Sequence, residues 1–260
     1  MVILDSVACL YSLFRPCVPQ GCLIHKACMD AGALHSPSNR CTLDCLSVLL
    51  FGCCLDCLEF TLIMLPLQNI PLSTSESHPI NVDFIPADKL GDRGRLGMTI
   101  APGKQNVGMQ FVWRRDLQQD LDRLRDYYQT DTLVSLIEEP ELSQLQIPTL
   151  FTEVQNRGMG SVWFPIPDFR APKSIAALRP LVQDILDRVA QAQTVVVHCK
   201  GGLGRSGLVV ASCLTTLGYA PDEAFHIVRE ARPGSVETHA QEAFVEEFAT
   251  AWRQGTFQPD

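Results

Sequence analysis

The chain has 260 residues, of which 46% are hydrophobic, and its formal net charge at pH 7 is -8. This length accommodates one medium domain with an appendage, or two small domains, and it is enough to bury a core. The acidic balance argues against binding along a nucleic-acid backbone, because such binding needs a surplus of Lys and Arg to displace counterions. A local basic patch around an anionic ligand is still compatible with the negative total charge.

The cysteines are distributed unevenly along the chain. Of the 11 cysteines, only Cys199 and Cys213 lie beyond residue 57. Two well-separated cysteines in the later part of the chain are typical of a reduced intracellular protein rather than of a disulfide scaffold. We therefore expect a cytoplasmic location.

Residues 1–63 are predicted to be a Cys-rich apolar segment, and three interpretations of it stay open. The stretch Leu46–Leu65 is apolar enough to suggest a membrane span, but it contains two acidic residues that would be costly at membrane depth. A zinc site could be formed by Cys41, Cys45, Cys53, Cys54 and Cys57, although the spacing C-x3-C followed by C-C-x2-C matches no common finger. In the third interpretation the native protein starts at Met64. A signal peptide is not expected, because the first residues lack a basic region.

From residue 81 onward, short apolar runs alternate with amphipathic stretches. The runs predicted to be strands are Val82–Ile85, Leu96–Ile100, Thr132–Ile137, Met159–Ile166 and Thr194–Val197. The stretches predicted to be helices are Val112–Tyr128, Pro148–Arg157, Ser174–Ala192, Arg205–Leu217, Pro221–Arg232 and Glu237–Trp252. This alternation predicts an α/β fold with a mainly parallel central sheet flanked by helices. Residues 64–94 are predicted to be an extended lead-in to a domain that spans residues 95–255.

The strand predicted at Thr194–Val197 runs into a glycine-rich turn that opens into an apolar helix. The turn contains several glycines, so successive backbone N–H groups can point inward onto an anion, and the helix N-terminus adds its partial positive charge. A strand, a glycine loop and a helix start in this order predict a phosphate pocket. The residues predicted to bind the phosphate are Lys200, Gly201, Gly202, Leu203, Gly204 and Arg205.

The side chains of this loop indicate nucleophilic chemistry. The field that binds an anion also stabilises a thiolate at Cys199, and a thiolate is the nucleophilic form of cysteine. The planar guanidinium of Arg205, six positions later, can bind two oxygens of a phosphoryl group. The hydroxyl of Ser206 is expected to donate to the Cys199 sulfur, and His198 is expected to point away from substrate and to fix the loop by hydrogen bonding. Each residue alone would be ordinary packing or a solvated charge, but together they indicate catalysis.

A competing motif overlaps the same residues. Gly202, Gly204 and Gly207 satisfy the dinucleotide fingerprint G-x-G-x-x-G after a strand and before a helix. However, no acidic residue ends a following strand about 20 residues later, because Asp222 instead opens a helix. An adjacent His-Cys pair also has no use in a dinucleotide loop, so the catalytic interpretation is favoured.

The segment from His198 to Ser206 fits H-C-x5-R-[ST], and over about residues 95–250 the chain resembles the protein tyrosine and dual-specificity phosphatase superfamily. The run Gly201–Ser206 is shared with its cyclin-dependent-kinase-associated phosphatase group. The resemblance implies a cysteine phosphatase-like fold, with residues 95–255 as the catalytic domain, and a phosphocysteine intermediate. It implies no metal and no other cofactor. The expected partner is a phosphorylated protein, without nucleic acid and without membrane contact by the catalytic domain.

Such enzymes need a general acid from a separate loop that can close over the substrate. The segment Trp163–Pro172 is a strand end that runs into a proline-bounded loop, and it looks like the acid loop of the superfamily. The resemblance assigns Asp168 as general acid and later as base for the attacking water. An ordinary loop or capping aspartate is the alternative interpretation of this residue.

The segment that begins at Val236 looks like the glutamine-bearing loop of the superfamily, which positions the hydrolytic water. Glu237 stands where many relatives carry glutamine. Gln241 is therefore predicted either to orient the water alone or to act beside a Glu237 that changes how the intermediate is resolved. Glu237 is also interpretable as a helix N-terminal acid. Arg229 and Arg232 resemble a basic pair of the family, with a structural salt bridge as the alternative.

The sequence leaves the substrate open. Lys200 is the only basic side chain inside the loop besides Arg205, whereas relatives that hydrolyse inositol phospholipids usually place more positive charge there. The resemblance therefore implies a phosphoprotein as the first choice of substrate, and a lipid or small phosphate as the second. An alternative from a different class is a phosphate-recognising adaptor with little turnover, which the acidic residue Glu237 makes conceivable.

Overall fold

The computed structural model describes residues 70–91, 93–108 and 110–256, which all lie within one unit, Leu65–Asp260. The strands are β1 (Leu72–Thr74), β2 (Asp83–Phe84), β3 (Arg95–Thr99), β4 (Gln105–Val107), β5 (Val112–Arg114), β6 (Thr132–Ser135), β7 (Gly160–Trp163) and β8 (Thr194–His198). The helices are α1 (Leu117–Asp126), α2 (Glu139–Gln144), α3 (Leu150–Asn156), α4 (Ile175–Ala190), α5 (Gly204–Thr216), α6 (Pro221–Ala231) and α7 (His239–Gln254). The predicted Cys-rich segment 1–63 lies outside the described residues.

The central sheet has five strands in the order β2-β3-β8-β6-β7, and only the β2–β3 pair is antiparallel. Strand β8 occupies the middle, and all five of its residues are buried. A continuous apolar run suits this position, because a parallel strand in the middle of a sheet is covered on both faces. The prediction of an α/β fold with a mainly parallel sheet flanked by helices is confirmed.

Two apolar clusters form the core, one on each face of this sheet. Val195 and Val197 belong to the cluster that contains side chains of α4, α5, α6 and α7. Val196 belongs to the cluster that contains side chains of α1, α2 and α3. The alternation follows from the two-residue period of a strand, which sends successive side chains to opposite faces. The carboxyl end of β8, where Cys199 follows, is therefore set between two packed helical layers.

A second, smaller sheet has the strand order β1-β5-β4. The helix predicted over Val112–Tyr128 is wrong in its first part, because Val112–Arg114 forms β5. The helix begins instead at Leu117, after Asp116, whose side chain accepts a hydrogen bond from the N–H of Gln119 and caps the helix. A strand thus occupies residues that the periodicity assigned to the helix.

Residues predicted to be an extended lead-in contribute to both sheets, through β1 and β2. A buried ion pair joins this region to the rest of the fold. Arg115 lies 2.7 Å from Asp120 with both side chains 1% exposed, and its Nη1 also donates to the carbonyl oxygen of His78 at 2.8 Å. None of the helices between residues 70 and 256, with residues 92 and 109 left aside, is long and apolar enough to cross a membrane.

Candidate active site

The predicted phosphate loop lies between the end of β8 at His198 and the start of α5 at Gly204. Cys199 is 3% exposed, and its Sγ accepts a hydrogen bond from the N–H of Gly202 at 3.2 Å. Gly202 has φ +70°, and a Cβ at this position would lie 2.2 Å from the carbonyl oxygen of Thr99. Only glycine fits here, because both the left-handed backbone and the close approach to β3 exclude a side chain.

The carbonyl groups of the loop are held from outside. Four consecutive carbonyl oxygens of the loop each accept a hydrogen bond from a side chain. These bonds are His198 Nδ1 to Cys199 O at 3.2 Å, Lys104 Nζ to Lys200 O at 3.1 Å, Arg232 Nη2 to Gly201 O at 3.0 Å and Arg232 Nε to Gly202 O at 2.7 Å. Since carbonyl and N–H groups of a peptide point in opposite directions, these bonds leave the N–H groups of residues 200–203 turned toward the pocket, whereas the N–H of Gly204 binds Glu237.

His198 is fully buried and links the loop to β6. Its Nδ1 must carry the proton, because the Cys199 carbonyl can only accept; in the neutral ring Nε2 then accepts from the Ser135 hydroxyl at 2.6 Å. Burial, together with the charge of Arg205, lowers the pKa of His198 to about 4, although the bond to the Cys199 carbonyl opposes this shift. His198 is therefore a neutral brace of the loop at pH 7.

Arg205 is 1% exposed and forms a bidentate ion pair with Glu141 of α2, which the sequence analysis did not identify. Nη1 lies 2.6 Å from Oε2 and Nη2 lies 3.0 Å from Oε1. Burial disfavours the charged form of both side chains, but the hydrogen bonds between them outweigh burial. The pKa of Glu141 is therefore lowered from its ordinary value, and the pKa of Arg205 is raised from its ordinary value. Both side chains are therefore charged at neutral pH.

Arg205 also binds the predicted acid loop. Its Nη1 donates to the carbonyl oxygen of Ile166 at 3.0 Å, and its Nη2 lies 2.9 Å from Oδ1 of Asp168, which is 40% exposed. The Nε of Arg205 has no hydrogen-bond partner among the described residues, although it is buried. The structure thus brings Asp168, Arg205 and the loop of Cys199 together, and it leaves one buried guanidinium donor without a partner among the described residues.

The predicted hydrogen bond from Ser206 to the Cys199 sulfur is absent. Ser206 Oγ is buried and has no partner among the described residues. The sulfur is bound instead by the backbone amide of Gly202. The hydroxyl is therefore a buried donor that none of the described residues uses, and a role for it in releasing the sulfur stays a prediction.

Glu237 binds the N-terminus of α5 and not that of α7, the helix that follows it in the chain. It precedes Thr238, the N-cap of α7, and its Oε2 accepts from the N–H of Gly204 at 2.8 Å, where α5 begins. Gln241 Oε1 accepts from the N–H groups of Glu237 and Thr238, and its Nε2 donates to the carbonyl oxygen of Arg170 at 3.2 Å. The amide of Gln241 is thus already used to cap α7 and to tether the acid loop, and its action on a water stays a prediction.

Arg229 and Arg232, the basic pair at the end of α6, make different contacts. Arg229 makes the salt bridge of the alternative interpretation, with Nη2 2.6 Å from Glu242 Oε1. Arg232 pairs with Asp83 and braces the loop carbonyls. Within the described part of the chain, no group of three or more His, Cys, Asp or Glu side chains is arranged to hold a metal ion.

A signal for Glu141 was present in the sequence. Glu141 follows β6 closely, and β6 and β8 are parallel neighbours. Because the carboxyl ends of parallel strands meet at one edge of a sheet, an acidic run just after β6 falls near the loop that follows β8. Lys104 carried no comparable signal, since it lies after β3 in a turn with no periodic pattern.

Comparisons with known proteins agree with this geometry. The family "Cyclin-dependent kinase inhibitor 3 (CDKN3)" matches residues 68–224, which is more than half of the chain. Cyclin-dependent kinase inhibitor 3 of Sus scrofa is 29% identical and that of Homo sapiens 28% identical, each over 176 residues that cover 66% of this chain and 80% of the relative.

Solved structures extend the likeness to the fold. Kinase associated phosphatase, crystallised with a serine in place of its catalytic site cysteine, superposes with a TM-score of 0.61 at 25% identity over 67% of this chain and 96% of its own. Tk-PTP in the active form superposes with a TM-score of 0.52 at 32% identity over 65% of this chain and 96% of its own. The chain therefore belongs to the cyclin-dependent kinase inhibitor 3 family, within the superfamily of protein tyrosine and dual-specificity phosphatases.

Proposed function

We propose that this protein is a phosphomonoester hydrolase that uses Cys199 as nucleophile and acts on phosphorylated proteins. One observation carries the proposal: a buried cysteine sits at the start of a loop whose amides turn inward, with the guanidinium of Arg205 and the carboxyl group of Asp168 at its mouth. Inward amides and a fixed guanidinium stabilise the charge that develops on a transferring phosphoryl group.

The reaction has two steps. In the first, the Cys199 thiolate attacks phosphorus, the phosphorus–oxygen ester bond breaks, and Asp168 gives its proton to the leaving oxygen. In the second, water attacks the phosphocysteine, the sulfur–phosphorus bond breaks, and Asp168 takes the proton of the water. Arg205 binds the phosphoryl oxygens in both steps, and Ser206 donates to the departing sulfur.

A phosphoprotein is the substrate class that the relatives favour. One solved relative is named kinase associated phosphatase, and a curated relative from Danio rerio is named protein tyrosine phosphatase domain-containing protein 1. We extend that class to this chain, with phosphotyrosine and phosphoserine or phosphothreonine as candidate residues. We further propose a cytoplasmic location, because a nucleophilic thiol must stay reduced.

The proposal is tested by hydrolysis of a small aryl phosphate by the full-length protein in the presence of a chelator. Cys199→Ser should abolish turnover, and Asp168→Asn should slow it about 10²- to 10⁴-fold, the usual contribution of a general acid. Cys213→Ala is the matched cysteine control, because Cys213 is buried in the core and its burial raises its thiol pKa. Its turnover should stay near that of the wild type.

Turnover that survives in Cys199→Ser would refute the nucleophile. A folded wild-type protein that binds phosphopeptides without releasing phosphate would instead identify a phosphate-recognising adaptor. Phosphotyrosine and phosphothreonine peptides, compared at equal concentration with an inositol phospholipid, would then decide the substrate class.

A further inference from the structure

Lys104 is a buried cation without a carboxylate partner. Its side chain is 4% exposed, and its Nζ donates to the carbonyl oxygen of Lys200 at 3.1 Å. The Nζ also lies 3.8 Å from the ring centroid of Trp113. No ion pair between described residues includes Lys104. A buried ammonium that lacks an anion is costly, so the surroundings of this lysine should contain its missing negative charge.

The charged groups around Lys104 identify that anion. Arg115, Lys200 and Arg232 are cations that disfavour its protonation, whereas a Cys199 thiolate favours it. Arg115 and Arg232 have acidic partners of their own, Asp120 and Asp83. Burial, the largest effect, and these neighbours lower the pKa of Lys104 to about 8. Cys199 is the anion among these groups, and its neighbour Lys200 binds the ammonium through its carbonyl oxygen.

We propose that Lys104 is a positioning residue whose ammonium is the counter-charge of the Cys199 thiolate. The inference rests on the proposed function, since it takes Cys199 as the nucleophile. The bond to the Lys200 carbonyl holds the ammonium at the peptide between Lys200 and Gly201, and the Trp113 ring lies against the ammonium as well. Because both contacts keep bulk water away, the field of the ammonium is screened less than at the surface.

The interaction acts in both directions. A cation that stabilises a thiolate is itself stabilised by that thiolate, by the same free energy. The ammonium persists below about pH 8, where an ordinary thiol with a pKa of about 8.5 would still be protonated. Lys104 therefore favours the reactive form of Cys199 in the neutral range, and this contribution is lost as the pH rises through the pKa of Lys104.

The experiment follows alkylation of Cys199 by iodoacetamide against pH, using the full-length protein. Iodoacetamide is uncharged, so removing a positive charge does not change its local concentration. Mass spectrometry of the tryptic peptide 189–200, which contains no other cysteine, isolates this thiol from the rest. Lys104→Met should move the midpoint of the profile upward by about one to two pH units, and so slow alkylation at pH 6 about ten-fold or more. Lys104→Arg should keep most of the wild-type profile.

Lys89→Met is the control, because Lys89 is a partly exposed lysine paired with Asp88. It should match the wild type. Equal midpoints for Lys104→Met and wild type, with the wild-type midpoint in the neutral range, would overturn the inference and leave the proposed function intact. A wild-type midpoint near that of a free thiol would count against the proposed function itself. An equal shift in Lys104→Arg and Lys104→Met would show that packing, and not charge, is responsible.

A reciprocal measurement applies even if the Lys104 variants do not fold. Cys199→Ser removes the thiolate, so an NMR titration of the lysine side chains should show the pKa of Lys104 lowered by about the same one to two units. An unchanged Lys104 titration in this variant would overturn the inference.

Discussion

Replacing Glu141 by Gln should damage both the stability and the activity of this protein. The Glu141 carboxylate is 6% exposed and accepts two hydrogen bonds from Arg205 and one from the N–H of Glu138. Glutamine keeps the shape and one acceptor oxygen but turns an N–H₂ group toward a buried guanidinium. Breaking a buried ion pair by removing one partner costs about 3 to 5 kcal/mol, and the retained acceptor should reduce this to about 3 kcal/mol.

The effect on catalysis should exceed what the lost stability explains. Glu141 sets the plane of the Arg205 guanidinium, and a misplacement of about 1 Å at such a group costs about 10²-fold in rate. We therefore expect kcat for an aryl phosphate to fall about 10²-fold at a temperature where the variant is fully folded. The melting temperature should fall by about 6 to 12 °C, from about 2 to 4 °C per kcal/mol in a domain of this size.

Glu139→Gln is the matched control, because Glu139 lies on the same helix, carries the same charge and is exposed. Thermal unfolding followed by circular dichroism and steady-state hydrolysis would be measured on both variants. If Glu141→Gln and Glu139→Gln behaved alike, the ion pair with Arg205 would not position the guanidinium, and this reasoning would be refuted.

Three further predictions concern the phosphate loop. Arg232→Met, which removes the donors to two loop carbonyls, should raise the inhibition constant of inorganic phosphate about ten-fold in competition assays, whereas Arg229→Met should change it little. Gly202→Ala should destabilise the protein by more than about 2 kcal/mol in urea denaturation, because the new Cβ would meet the Thr99 carbonyl. Gly201→Ala is its control: the Cβ there meets nothing within 4 Å, so this variant should lose less than about 1 kcal/mol. Since the pKa of His198 falls from 6.5 to about 4 on folding, the unfolded chain binds more protons between these values. Acidification from pH 7 to pH 5 should therefore remove about 2 kcal/mol of stability, and His198→Asn should flatten this part of the profile.

The parts of the fold that the sequence predicted correctly are those with a clear period or a continuous apolar run. The buried run Val195–Val197, the glycine turn and helix α5 are consecutive in the chain. Their order alone therefore placed Cys199 at the carboxyl end of a buried strand. The small sheet was missed because β1, β4 and β5 have three residues each, too few to show a two-residue alternation. The six-residue helix α2 is likewise too short for a helical period, and it contains a proline.

In the candidate site, too, the sequence predicted the residues that are close together in the chain and missed the contacts between distant residues. The motif located Cys199 and Arg205, because a loop and the helix after it are neighbours in sequence. The partners of Arg205 come from residues 37 to 64 positions away, on α2 and on the loop after β7. No local pattern contains such contacts, and only the parallel pairing of β6 with β8 gave a reason to look after β6.

The side chains that brace the loop explain why an acidic protein can still contain an anion site. Lys104 and Arg232 carry positive charge, and both bind outward carbonyls of the loop. A cation bound to a carbonyl polarises the whole peptide, so the N–H on the opposite side becomes a stronger donor toward the pocket. The loop is thereby held in its anion-binding form before any phosphate arrives, and less reorganisation is left for the transition state. A net charge of -8 is compatible with this arrangement, because the fold brings these positive side chains from distant parts of the chain to the loop of Cys199.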